Sequence, residues 1–219
     1  MKNFSFPMSG ISMLFCLLLS SQAVAQGSAR KQLDAFTQNL QTFEASFDQT
    51  VVDAEGQVQD SSAGRVWLKR PDLFRWEYGG DFPEVVVADG NRIWIHDVVL
   101  EQVTVKDQMA ESAGSPLLML TEPARLDEQF EVRESGRADE GDLLELRSIN
   151  AEADFDRILL AFAEGQLTLM IMEDAFGLRT EIRFSNIRLN GDLDETLFQF
   201  QPPEGADVIG DLPTAANQR

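Results

Sequence analysis

Leu33, Phe36, Leu40 and Phe43 recur at intervals of three or four residues, with Lys31, Gln32, Asn39 and Gln41 off that stripe. The spacing predicts one short amphipathic helix, capped by Ser28, at the head of the domain. From Phe43 the period changes to two. Phe43, Ala45, Phe47, Gln49 and Val51 share one face and Glu44, Ser46, Asp48 and Thr50 the other, as in a half-buried strand. Asp53-Ala54-Glu55-Gly56 reads as a turn, and the return strand ends in Val66-Trp67-Leu68-Lys69-Arg70 before Pro71, which has no ladder donor. Leu73-Phe74-Arg75-Trp76-Glu77-Tyr78 then alternates aromatic with charged positions, the pattern of an antiparallel strand with one wet face.

The same rhythm continues through Glu84 to Ala88, Arg92 to Asp97 and Gln102 to Lys106, and later through Gln129 to Glu134, Asp142 to Ser148, Phe155 to Ala163, Gln166 to Glu173 and Leu178 to Leu189. About eleven short strands in hairpin succession are expected, with no βαβ spacing. Asp107 to Thr121 interrupts them, and Ser115-Pro116-Leu117-Leu118-Met119-Leu120 reads as a capped helical turn, apolar all round from Leu117 to Leu120. A tail containing Phe198, Phe200, Pro202 and Pro203 follows, and the residues after about 208 are expected to be loose. One helix and a short insert cannot cover both faces of so many strands. A mainly β fold results, a large curved antiparallel sheet with helices on its concave side, and sequence alone leaves its closure open.

Residues 1–25 differ from the rest: Lys2, an apolar stretch from Ile11 to Leu19, then Ala23-Val24-Ala25. This is a secretory signal, too short in its apolar core for a membrane span, so a soluble single domain of residues 26–219 is expected. Cys16, the one cysteine, follows Phe15 where a lipid-attachment signal needs a small residue, which speaks against an anchored lipoprotein. Cleavage removes that cysteine, so the exported chain has no disulfide and relies on its core. With 43% hydrophobic residues the chain can build one. Its 18 lysines and arginines against 37 acidic residues give a net charge of −19, which disfavours nucleic acid and adhesion to anionic lipid.

Hydrolytic or metal chemistry needs clustered His, Cys or paired carboxylates. The chain has one histidine, His96, and carboxylates scattered through turns, so neither a catalytic residue, a metal site nor a cofactor is expected, and His96 reads as packing or surface. Arg70 is more suggestive. As a surface arginine it would be unremarked, but if Val66, Leu68 and Arg70 share the concave face its five donors sit at a cavity edge. The helix carrying Leu117 to Leu120 would then supply carbonyl partners.

The run Val66-Trp67-Leu68-Lys69-Arg70-Pro71-Asp72-Leu73-Phe74-Arg75-Trp76 resembles the periplasmic LolA lipoprotein carriers. So do Phe43 through Gln49, the Asp89-Gly90 turn with Trp94 beyond it, Pro116 to Leu120, and Phe198-Gln199-Phe200-Gln201-Pro202-Pro203-Glu204-Gly205. The resemblance implies an unclosed antiparallel β-barrel with an α-helical lid, whose hydrophobic cavity holds the acyl chains of lipoproteins in the periplasm of a Gram-negative cell. It also implies an inner-membrane ABC transporter as donor and an outer-membrane lipoprotein receptor as acceptor, with Arg70 on the family's arginine that ties lid to barrel. The sister receptor is itself a lipoprotein, and the context of Cys16 favours the soluble carrier, expected to be a monomer.

Burying one sixteen-carbon chain is worth on the order of 12 kcal/mol at about 0.8 kcal/mol per methylene. A carrier must offset that grip to let go. A lid whose apolar residues shelter each other in the empty state would do so, opening at the expense of the contacts of Leu117, Leu118, Met119 and Leu120 and of Arg70's hydrogen bonds. Phe43, Phe47, Val51, Leu68, Phe74 and Trp76 are expected to line the cavity, with ordinary core as the alternative. Two competing readings are a periplasmic lipid-binding or envelope-stress sensing domain of the same fold, and an exported enzyme with an unrecognised site.

Overall fold

The computed structural model describes residues 28–111, 123–150 and 153–210. Helix α1 (Ala29–Asn39) leads into strands β1 (Thr42–Val52), β2 (Val58–Lys69), β3 (Leu73–Tyr78), β4 (Glu84–Asp89), β5 (Arg92–Asp97) and β6 (Gln102–Asp107). Two short helices, α2 (Gln108–Glu111) and α3 (Pro123–Gln129), precede β7 (Phe130–Ala138), β8 (Gly141–Ser148), β9 (Arg157–Ala163), β10 (Gln166–Glu173) and β11 (Arg179–Leu189). A 3₁₀ turn (Glu195–Phe198) and β12 (Asp207–Gly210) end the described chain. All twelve strands form one sheet in the order β12-β6-β5-β4-β3-β2-β1-β11-β10-β9-β8-β7. β7 and β12 stand at opposite ends of that order, so the barrel is unclosed.

Short polar side chains set the hairpins. The Asp53 carboxylate accepts from the backbone N–H groups of Glu55 (3.1 Å) and Gln57 (2.8 Å) between β1 and β2. Asp174 does the same for Phe176 and Leu178, both at 2.9 Å, between β10 and β11. Such local bonds favour the turn conformation, and the alternation of each strand specifies its register. α1 begins as its sequence predicts, with Ser28 Oγ accepting from Lys31 N–H at 3.3 Å. It stops at Asn39, so Phe43 serves as the first inward ring of β1 rather than the last turn of the helix.

The inner faces of β1–β5 and β7–β11 share one buried cluster with α1 and with Leu126 of α3. Phe36 of α1 stacks edge-on against Phe43 at 6.1 Å and Phe162 at 5.9 Å, and Phe43 in turn meets Phe184 at 5.6 Å. The helix is therefore wedged into the sheet's aromatic lining.

Two features depart from the sequence expectations. The end of the chain is not loose throughout: Asp207–Gly210 pairs with β6 as a twelfth strand, the one parallel pair among those described. The outer face also carries a second, smaller apolar layer. Trp67, Val87, Trp94 and Val105 lie on one outward row, and Phe198, 3% exposed, is buried together with Val87 and Val105. Phe200 stacks on Trp94 at 5.7 Å and on His96 at 5.9 Å, so His96 packs against the C-terminal segment. Arg75 Nη1 donates to Leu197 O at 3.2 Å to hold that segment down.

Candidate functional site

Strand register places three rungs of side chains on the inner face. The first is Phe43, Leu68, Phe74, Ala88 and Ile93; the second Ala45, Val66, Trp76, Val86 and Ile95; the third Phe47, Gly64, Tyr78, Glu84 and Asp97. The face thus runs from purely apolar through aromatic to acidic. Gly64 makes the third rung work: a Cβ there would lie 1.8 Å from Glu77 O and 2.9 Å from the Phe47 ring, and in its place Phe47 and Tyr78 meet edge-on at 5.2 Å. Aromatic cover of a strand glycine compensates for its missing side chain.

Of the residues expected to line a cavity, Phe43, Phe47, Leu68, Phe74 and Trp76 are buried together in the inner cluster. Val51 is half-buried and lies outside it, paired in register with Asp60 near the end of β1, just before the pairing with β2 slips between Val51 and Val52. Val52, 7% exposed, is the buried residue there. Leu117, Leu118, Met119 and Leu120 lie outside the described residues.

Arg70 sits just past the end of β2, its own N–H donating to Gln41 O at 2.9 Å. Its Nη1 donates to Thr37 O at 2.9 Å and to Leu40 O at 3.5 Å. These are carbonyls at the C-terminal end of α1, where helical carbonyls lack intrahelical partners and the dipole favours a cation. These bonds place α1 itself among the elements this arginine ties to the sheet.

The N-terminal end of α1 is fastened as firmly. The Glu134 carboxylate of β7 accepts from the first two helical N–H groups, Ala29 (3.1 Å) and Arg30 (3.0 Å). The Arg30 guanidinium grips Asp127 of α3 with two bonds of 2.6 and 2.8 Å, and those bonds hold the Asp127 carboxyl below its usual range. Gln32 donates to Asp142 Oδ2 at 2.7 Å and accepts from Gly165 N–H at 3.0 Å. Every one of these groups is polar and most are partly exposed, so each bond exchanges with water at little net cost. The sequence offered no signal for Glu134, Asp127 or Asp142, which stand roughly a hundred residues from the helix they hold.

Beyond the third rung a cleft of about 1190 Å³ opens, lined among others by Gln49, Ser62, Gly64, Tyr78, Glu84 and Asp97. Burial, with the nearby Glu84 charge, pushes the Tyr78 hydroxyl up to about 12, and it donates to Gln49 Oε1 at 3.2 Å. Burial followed by repulsion from Asp97 raises Glu84 above its ordinary value. Among the described residues no three His, Cys, Asp or Glu side chains gather as a metal ligand set, and no helix is long and apolar enough to cross a membrane.

The family model for "Outer membrane lipoprotein carrier protein LolA" matches residues 38–201. The chain belongs to the LolA family. Its relatives include the outer-membrane lipoprotein carrier protein of Xanthomonas campestris pv. campestris (strain B100), 40% identical over 202 residues, which are 91% of this chain and 96% of that one. The carrier of Dechloromonas aromatica (strain RCB) is 36% identical over 86% of this chain and 90% of its own. Among solved structures, an uncharacterised conserved protein from Thermus thermophilus superposes with a TM-score of 0.54 at 16% identity, over 83% of this chain and 98% of that one. MucB superposes at 0.50 with 15% identity, over 79% of this chain and 62% of its own. These two share the fold. The LolA match begins at Gln38 and so takes in all of the inner-face strands but only the last two residues of α1.

Proposed function

We propose that this LolA-family protein acts as a carrier rather than an enzyme. It takes acylated lipoproteins from an inner-membrane ABC transporter, shields their acyl chains on its inner face, and delivers them to an outer-membrane receptor. The working form is residues 26–219, exported to the periplasm as a single-domain monomer after its signal peptide is removed. The observation that carries this reading is an apolar and aromatic sheet face covered by a helix whose attachments at both ends are polar. Acyl chains would replace the ring contacts of Phe36 with Phe43 and Phe162, so the closed state already recovers part of what a chain would gain, which is the condition for release. Phe43, Phe47, Leu68, Phe74 and Trp76 are the proposed chain contacts, with Val51 at their margin. Arg70 is the latch, and Leu117 to Leu120 complete the lid.

The test is transfer. Vesicles holding the transporter and labelled lipoproteins are incubated with the mature protein and ATP, and a soluble one-to-one complex is expected only when ATP is present. If no lipoprotein is released while a fluorescent fatty acid still binds, the carrier reading fails and a lipid-binding module of the same fold takes its place.

A further inference from the structure

Two buried side-chain atoms among the described residues have no hydrogen-bond partner, Trp76 Nε1 and Ser62 Oγ. Both belong to the inner face. Ser62 stands opposite Gln49, two residues along β2 from Gly64, and Trp76 stands two residues along β3 from Tyr78. Buried donors are nearly always satisfied, so an orphan points to a partner that arrives with function. Trp76 is 9% exposed, and its ring is pinned by Phe47 at 4.5 Å and Phe184 at 6.4 Å. Its N–H lies near enough to the Tyr78 oxygen to favour the ionised hydroxyl slightly, but not in the geometry of a hydrogen bond, and Tyr78 directs its own proton to Gln49. An indole N–H donates and cannot accept, so the missing partner must bring an acceptor.

The position narrows the chemistry. Trp76 lies on the second rung, between the apolar first rung and the acidic third, beside the cleft that Ser62 and Gln49 line. An acylated glycerol has the same sequence of properties: hydrocarbon, then an ester carbonyl, then polar glyceryl oxygens. We propose that Trp76 and Ser62 form a subsite for the ester linkage of a bound acyl chain. The Trp76 N–H donates to the ester carbonyl and the Ser62 hydroxyl to a neighbouring glyceryl oxygen, with the hydrocarbon running toward Phe74 and Leu68 and the head group toward the cleft. The proposal rests on the reading of the inner face as an acyl-chain site.

The probes are a diacylglyceryl-cysteine lipopeptide and the same lipopeptide with its two chains joined through ethers, which lack the carbonyl. The mature protein is expected to bind the ester form about three- to tenfold tighter, the range of one buried hydrogen bond. Trp76→Phe keeps an aromatic ring but has no N–H, and should bind the two probes equally, whatever its affinity for both. In the unaltered protein, labelled at its indole nitrogens, the Trp76 N–H proton resonance should move downfield with the ester lipopeptide and not with the ether, a readout that does not depend on the variant folding. Equal affinity for the two probes, or an unmoved Trp76 resonance, overturns the subsite while the acyl-chain reading stands. Failure of both probes to bind overturns both.

Discussion

Arg70 gives one guanidinium nitrogen to two carbonyls at the end of α1. Hydrogen bonds to a charged group contribute about 1.5–3 kcal/mol each where they are sheltered, and the partial burial here puts the pair toward the lower figure. Arg70→Leu should therefore lower the unfolding midpoint modestly and favour the open state. Loading should persist and delivery to the acceptor should slow, because the closed empty state no longer offsets the chains' burial. Equal delivery by variant and parent would remove the latch role. Glu84 makes a second residue-scale prediction. Burial and Asp97 raise its folded pKa above the ordinary 4.5, so the native state holds its proton to higher pH than the unfolded chain does. The corresponding stability is present below pH 4.5 and lost as pH rises through the folded value. Glu84→Gln should raise the denaturation midpoint at about pH 7 and leave it nearly unchanged at about pH 4. The rings of the inner face were legible in sequence because strand alternation alone assigns them a common side. Val51 shares that side by the same alternation, but its half-burial near the end of β1 depends on neighbours that a periodicity does not show.

At the scale of elements, α1 is an amphipathic helix whose apolar stripe enters the sheet while its ends are held by groups from distant strands. Glu134 takes the place of an acidic first turn, which α1 lacks. A carboxylate on unpaired N–H groups at a helix start is worth about 1 kcal/mol. Glu134→Ala should accordingly speed amide exchange in the first turn of α1 while β1 remains protected; unchanged exchange at Ala29 and Arg30 would show the cap to be idle. The helix and the strand succession could be read directly, since period and turn residues are local. α3, β12 and the outer layer of Phe198 and Phe200 could not. They exist because particular strands lie near enough to receive them, and no local pattern distinguishes Asp207–Gly210 from a polar tail.

At the scale of the whole molecule, α1 packs on the inner face that the proposed acyl-chain site uses, so hydrocarbon is expected to reach that face as α1 and the sheet separate. Gln32 and Asp142 lie in hydrogen-bond contact across that seam, and residues 26–219 contain no cysteine. Gln32→Cys with Asp142→Cys, joined by a short bis-maleimide, should abolish binding of a fluorescent fatty acid, while the same double variant left unjoined binds it. Undiminished binding by the joined form would show that chains enter without movement of α1. The strong negative charge of the chain also opposes its resting on anionic membranes, which suits the proposed carrier role.

Composition, hairpin rhythm and the alternation of aromatic side chains are properties of adjacent residues, and the sequence alone determined them together with the resemblance to LolA. Strand alternation divided the residues into two faces without naming either. Only the tertiary structure decided that Phe43, Leu68 and Trp76 join the inner cluster with α1 while Trp67 and Trp94 lie on the opposite face, where Trp94 meets Phe200 of the C-terminal segment. It alone brought Arg70 to the end of α1 and Glu134 to its start, and left Trp76 Nε1 buried without a partner. Each of those outcomes depends on which strands pair and which way the sheet curls, a choice made by burial summed over the whole chain.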